Sequence, residues 1–118
     1  MVYILMIHAD EADWVTKSEA EMAPIMRAHA ELEQDLRKAG KYRGCGGLAP
    51  TGSATTVRLG TGKPVITDGP FAETKEQLGG YYLVEATDID EAISYASRIP
   101  GFGKRSIEIR PILDFRTG

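Results

Sequence analysis

Cysteine is almost missing from this chain. Cys45 stands alone, so no internal disulfide is available and the fold must rest on its core. A lone thiol suits a reducing compartment, and the chain reads as cytoplasmic. Long apolar runs are missing too. Nothing approaches the roughly 18 uncharged apolar residues of a membrane-spanning helix, so no membrane partner is expected. Neither sign of charge dominates. The 14 basic and 17 acidic residues leave a net charge of −3, an ordinary solubility margin. That balance lacks the footprint of direct nucleic-acid binding. Histidine occurs only at His8 and His29, with no cysteine pair and no H-x-x-x-H spacing, which argues against a metal site. Neither a P-loop nor a G-x-G-x-x-G turn opening a helix is present. The expectation is chemistry without metal or organic cofactor.

The chain does have enough apolar material for one core: 42% of its 118 residues. It reads as a single domain over 1–118. Met1–Asp10 lacks a basic leader and reaches an acid quickly, so it reads as a first strand rather than a secretory signal. Val2–Ile7 is a continuous apolar run, suited to a strand in the middle of a sheet or buried on both faces. Asp10–Lys17 is mostly polar and reads as a loop. Ser18 and Glu21 then form a capping-box pattern. Met22, Ile25, Met26, His29, Leu32 and Leu36 recur at three and four residues, the stripe of an amphipathic helix over 18–39. Pro24 should kink that helix or delay its start, and Gly40 suits its end.

Lys41–Leu48 reads as a second strand, loosened by glycines. Thr55–Leu59 and Pro64–Thr67 flank Gly60-Thr61-Gly62 as a hairpin. Gly80–Ala86 is another strand, a second helix spans 88–99, and Ser106–Arg110 alternates as a last strand. The doubled strand–helix–strand order predicts an α+β, ferredoxin-like split βαβ fold with an antiparallel sheet and an inserted hairpin. Two helices cover only one sheet face. A second copy of the chain is expected to cover the other, giving a homodimer.

Several residues are candidates for chemistry. His29 lies on the core-facing stripe, either as a satisfied core histidine or as an acid/base group lining a cavity. Asp68 is either a turn element of Asp-Gly or a functional carboxylate. Phe71 reads as a core or interface anchor, with a substrate platform as the alternative. Glu73 and Glu76 read as solvated. Gly79-Gly80 lets backbone pass close to a bulge, a neighbouring strand or a ligand. Tyr3, Tyr81 and Tyr82 read mainly as strand packing, one of them offering a hydroxyl to the cavity. Cys45 reads as a small buried group rather than a nucleophile. Arg98, Lys104, Arg105, Arg110 and Arg116 read as a solvated basic face, with an anion or partner site as the alternative.

The stretch Thr67–Tyr82, with Asp68-Gly69-Pro70-Phe71 and Gly79-Gly80, resembles the signature of the DGPF branch of the YCII-related family. Arg27-Ala28-His29, followed by Leu36 and Ala39-Gly40, is similar to that family's R-x-H helix. The glycine-rich turn before Leu48-Ala49-Pro50 also resembles it. The resemblance implies a dimeric α/β barrel built from two ferredoxin-like sheets. It implies a His29–Asp68 acid/base pair, with Arg27, Phe71, Gly80 and Tyr82 as the ligand-binding set. For activity it implies lyase- or isomerase-like chemistry on a small organic ligand of unknown identity. Its alternative is a non-catalytic ligand-sensing or partner module linked to sigma-factor control of transcription.

Overall fold

In the computed structural model, which describes residues 1–117, the apolar N-terminal run becomes β1 (Val2–Ala9) and takes an inner place in the sheet. It is followed by a short helix α1 (Ala12–Val15), the long helix α2 (Glu19–Lys38) and β2 (Tyr42–Gly47). A 3-10 turn at Thr51–Ser53 leads to β3 (Thr55–Arg58) and β4 (Val65–Asp68). Then come β5 (Gln77–Glu85), α3 (Ile89–Ala96) and β6 (Arg105–Pro111). The main sheet runs β2-β5-β1-β6 and is antiparallel throughout. β3 and β4 pair only with each other, as an arm outside the main sheet. This is the expected ferredoxin-like α+β fold with an inserted hairpin. The sheet is open, so no barrel closes within the chain.

Alternation along β1 divides the sheet faces. Tyr3 and Leu5 pack with Tyr82 and Val84 of β5 against Leu32 and Leu36 of α2 and Ala92 and Ala96 of α3. Both helices therefore cover one face. Leu5, Leu32, Leu36, Val84 and Ile99 are essentially inaccessible to water. Each such side chain contributes about 1.5–3 kcal/mol through burial. On the other face, Ile4, Met6, Tyr81 and Leu83 remain partly exposed.

Local sequence explains the helix ends. Ser18 Oγ accepts from the Glu21 amide at 3.1 Å, and Glu21 returns a bond to the Ser18 amide at 3.0 Å. This capping box starts α2 at Glu19, so of the kink or delayed start expected of Pro24 the delay does not occur; the helix runs through it. A proline there removes one amide donor while the capped first turn holds. At the other end Gly40 takes φ 72°, and Lys41 N–H donates to the Leu36 carbonyl at 2.9 Å. That is a Schellman closure. α3 is shorter than expected because its tail tightens: the Arg98 and Ile99 amides donate to carbonyls three residues back. The segment expected to be a loop at Asp10–Lys17 contains α1, which carries Trp14.

The α2 stripe is not one continuous core. Leu32 and Leu36 are buried, His29 and Ile25 are half-buried, and Met26 is 58% exposed. The C-terminal half of the helix packs on the sheet, while the N-terminal half roofs open space.

Candidate functional site

That open space comprises two adjoining cavities of about 210 Å³ and 320 Å³, with Ile7, Met26, His29, Gly47 and Gly79 on the walls of both. The smaller runs toward Trp14, Ile25, Phe102 and Arg105. The larger runs toward Glu33, Cys45, Gly80 and Tyr82. The β1–β5 register slips between Ile7 and His8, leaving Gly79 unpaired opposite the slip as a bulge. Gly80, next in line, is held for space: a Cβ there would meet the Gly46 carbonyl oxygen at 2.8 Å. The backbone therefore passes close to a neighbouring strand, one of the options open in the sequence, and the cavity floor stays flat.

His29 Nδ1 and Tyr82 Oη are 2.6 Å apart, with the rings stacked at 16° and centroids 5.8 Å apart. Tyr82 is buried, and burial, with the nearby Cys45 and Glu33, pushes its phenol above the usual range. It is therefore a neutral O–H at ordinary pH. Burial also lowers the His29 pKa, and the Arg105 charge adds to the effect, so the imidazole is neutral as well. A phenol is the better donor of the two, so Tyr82 O–H donates to Nδ1 and the ring proton sits on Nε2. Tyr82 thus orients the histidine ring without any carboxylate.

A second cluster reaches the larger cavity through Glu33 and Cys45. Cys45 Sγ lies 3.3 Å and Tyr42 Oη 3.4 Å from Glu33 Oε1, and the Tyr42 hydroxyl is 3.2 Å from the thiol. Arg37 Nε donates to Glu33 Oε2 at 3.2 Å, and its guanidinium lies 4.2 Å over the Tyr42 ring. Bonds from Cys45 and Arg37 hold Glu33 below the usual carboxylate range. The thiol bond is the first cause raising Tyr42 to about 12. Burial pushes the Cys45 thiol up, so it is a protonated donor rather than a nucleophile.

The fold brings His29, Gly80 and Tyr82 together, and leaves Arg27, Asp68 and Phe71 apart from them. Arg27 is exposed on α2 and lines neither cavity. Asp68 ends β4 opposite Thr55, is exposed, and lines neither cavity. Among the described residues the ring partner of His29 is Tyr82, not Asp68. Phe71 is 80% exposed beyond the arm, so it anchors nothing in this chain's core. His8 points to the open sheet face, where Nε2 is 3.1 Å from Glu108 Oε1.

Sequence reasoning missed Glu33, Trp14 and Arg105 as wall residues. Glu33 stands one helical turn after His29, a spacing that puts both on one face. Arg105 shares strand parity with Ile107 and Ile109, which face the helices. Trp14 offered no periodic signal. Among the described residues no three histidine, cysteine or acidic side chains are grouped to hold a metal ion.

The model of the YCII-related domain matches residues 1–116. The chain belongs to the YCII-related family. An uncharacterized protein of Rhizobium meliloti (strain 1021) is 35% identical over 122 aligned residues, spanning 100% of this chain and 97% of its own length. Nearly full coverage of both proteins makes the likeness one of whole chains. In this member of the YCII-related family, His29 lines both cavities and Tyr82 the larger one.

Proposed function

We propose that this YCII-related protein binds a small organic molecule in the cavities beside His29 and acts on it by acid/base chemistry, in the manner of a cofactor-free lyase or isomerase. The observation carrying this reading is a neutral histidine, fixed by a buried tyrosine at 2.6 Å, on the wall common to both cavities. Small ligands occupy concave, mostly apolar sites with a few polar groups. In this arrangement a neutral His29 donates from Nε2–H, and it accepts a proton there once the Tyr82 hydroxyl turns so that Nδ1–H donates to its oxygen. The single free thiol suits a cytoplasmic setting.

Tyr82 orients His29 from within the chain. The His29–Asp68 pairing belongs to the DGPF branch reading, and it requires that the arm of a second copy carry Asp68 in. The uncovered sheet face and the exposed arm both favour such a homodimer. Light scattering should then give twice the 12.9 kDa chain mass. NMR titration of His29 separates the two orienting groups. Asp68→Asn lowers its pKa if a second copy's carboxylate faces it, and leaves it unmoved otherwise. Tyr82→Phe removes the bond to Nδ1 in either case. A metabolite screen on the purified protein, read by His29 shifts, tests the whole reading. Absence of any cavity ligand, with His29 insensitive throughout, refutes it.

The second reading, a non-catalytic sensing module linked to sigma-factor control, draws on the same exposed arm as a partner surface. Its signature is ligand binding that survives with no turnover by the native protein.

A further inference from the structure

We infer that the smaller cavity is selective for a small organic acid, with Arg105 holding its carboxylate and His29 Nε2–H as a second donor. The inference rests on the proposed cavity reading and adds the charge and class of the ligand. Arg105 opens β6 on the helix-facing side and lines the cavity that His29 also lines. Its Nη2 donates to the Ile99 carbonyl at 2.9 Å and its Nη1 to the Gly103 carbonyl at 3.1 Å. Those bonds fix the guanidinium without neutralising it. Among the described residues it forms no ion pair, and its buried Nε has no hydrogen-bond partner.

Gly101 makes room for this arrangement, because a Cβ there would meet Arg105 Cδ at 2.7 Å. A half-buried cation that forms no ion pair favours an anion, and the planar guanidinium fork fits a carboxylate. Asp13 is the one carboxylate on the same wall; it forms no ion pair with Arg105, but it offsets part of the guanidinium's field and opposes an anion there. The remaining surface is apolar, with Trp14, Ile25 and Phe102 to take a hydrocarbon body. A volume of about 210 Å³ equals roughly seven waters of liquid volume. That suits a compact acid.

Trp14 is the only tryptophan, so its fluorescence reports occupancy directly. The probes are benzoate and its neutral analogue benzamide. Benzoate should bind more tightly than benzamide and raise the His29 pKa on binding. Arg105→Gln should weaken benzoate by about 10- to 100-fold while leaving benzamide unchanged. Arg105→Lys should retain part of the preference. Asp13→Asn should tighten benzoate alone, which keeps the test decisive if Arg105→Gln does not fold. Equal binding of the two probes by the native protein overturns the inference and leaves the cavity reading standing. Silence from both probes at millimolar concentration also overturns the inference, whereas the cavity reading falls only if the metabolite screen is empty as well.

Discussion

The sheet-and-helix body and the β3–β4 arm are built from similar residues yet are held by different forces. In the body, valine, leucine and isoleucine disappear between layers, as Leu36 and Val84 do. In the arm the same residue types face water: Leu59 is 79% exposed and Ile66 68%. The arm keeps its shape by its own ladder, by Arg58 bonding to Thr67 Oγ1, and by the Gly69 amide on the Ala54 carbonyl at 2.7 Å. Its root is tied to the body by Thr51, which bonds Glu11 through both hydroxyl and amide. A two-stranded hairpin is marginal alone in water. The radius of gyration, 16.0 Å, exceeds the roughly 13–14 Å of a compact chain this long because the arm projects. Apolar residues stabilise where a second layer meets them; in the arm no second layer of this chain does.

The largest test of that contrast pairs two core-type truncations. Leu36→Ala should cost about 2–5 kcal/mol in urea unfolding. Ile66→Ala, with its side chain already in water, should stay within about 0.5 kcal/mol. An equal loss at Ile66 would mean that the arm is packed against something in solution, and a dependence on protein concentration would identify a second copy.

Glycines sharpen the contrast at a smaller scale. Gly80→Ala drives a methyl into the Gly46 carbonyl, so it should cost about 1–3 kcal/mol and loosen the β2–β5 ladder in amide exchange. Gly60→Ala, in the arm turn, meets nothing within 4 Å and should leave the melting curve in place. If Gly80→Ala is as silent as Gly60→Ala, the close strand approach under the cavity is wrong.

The smallest effect is the pH dependence that the body draws from His29. Its folded pKa lies below 6.5, the value it approaches in the unfolded chain. The unfolded state therefore binds more protons as pH falls, and stability that is complete above about 6.5 declines below it. His29→Gln should flatten that part of the stability profile. A wild-type curve that rises on acidification through this range would contradict the sign.

Much of the fold was legible because local signals and layer counting agreed. The Ser18–Glu21 capping box, the Gly40 end and the alternation of β6 each specify an element with short-range chemistry. The site was legible in part. His29 stood out on a helical stripe, and Tyr82 and Gly80 fell on the strand beneath it. Asp68, Phe71 and Arg27 were singled out by resemblance, and within one chain they lie away from the cavities. Arg105 and Trp14 were hidden because one looked like part of a basic surface and the other like a loop residue.

The sequence by itself determined the order of strands and helices, the caps that bound α2, and which face of each element is apolar. Periodicity and short-range hydrogen bonding decide these within a few residues. Only the tertiary structure decided that the α2 stripe splits into a core half and a cavity half. It also decided that His29 meets Tyr82, 53 positions away, and that Arg105 reaches the same wall. Those outcomes depend on the β1–β5 register, the Gly79 bulge and the backbone clearance at Gly80. No periodicity along the chain carries distances between elements so far apart in sequence.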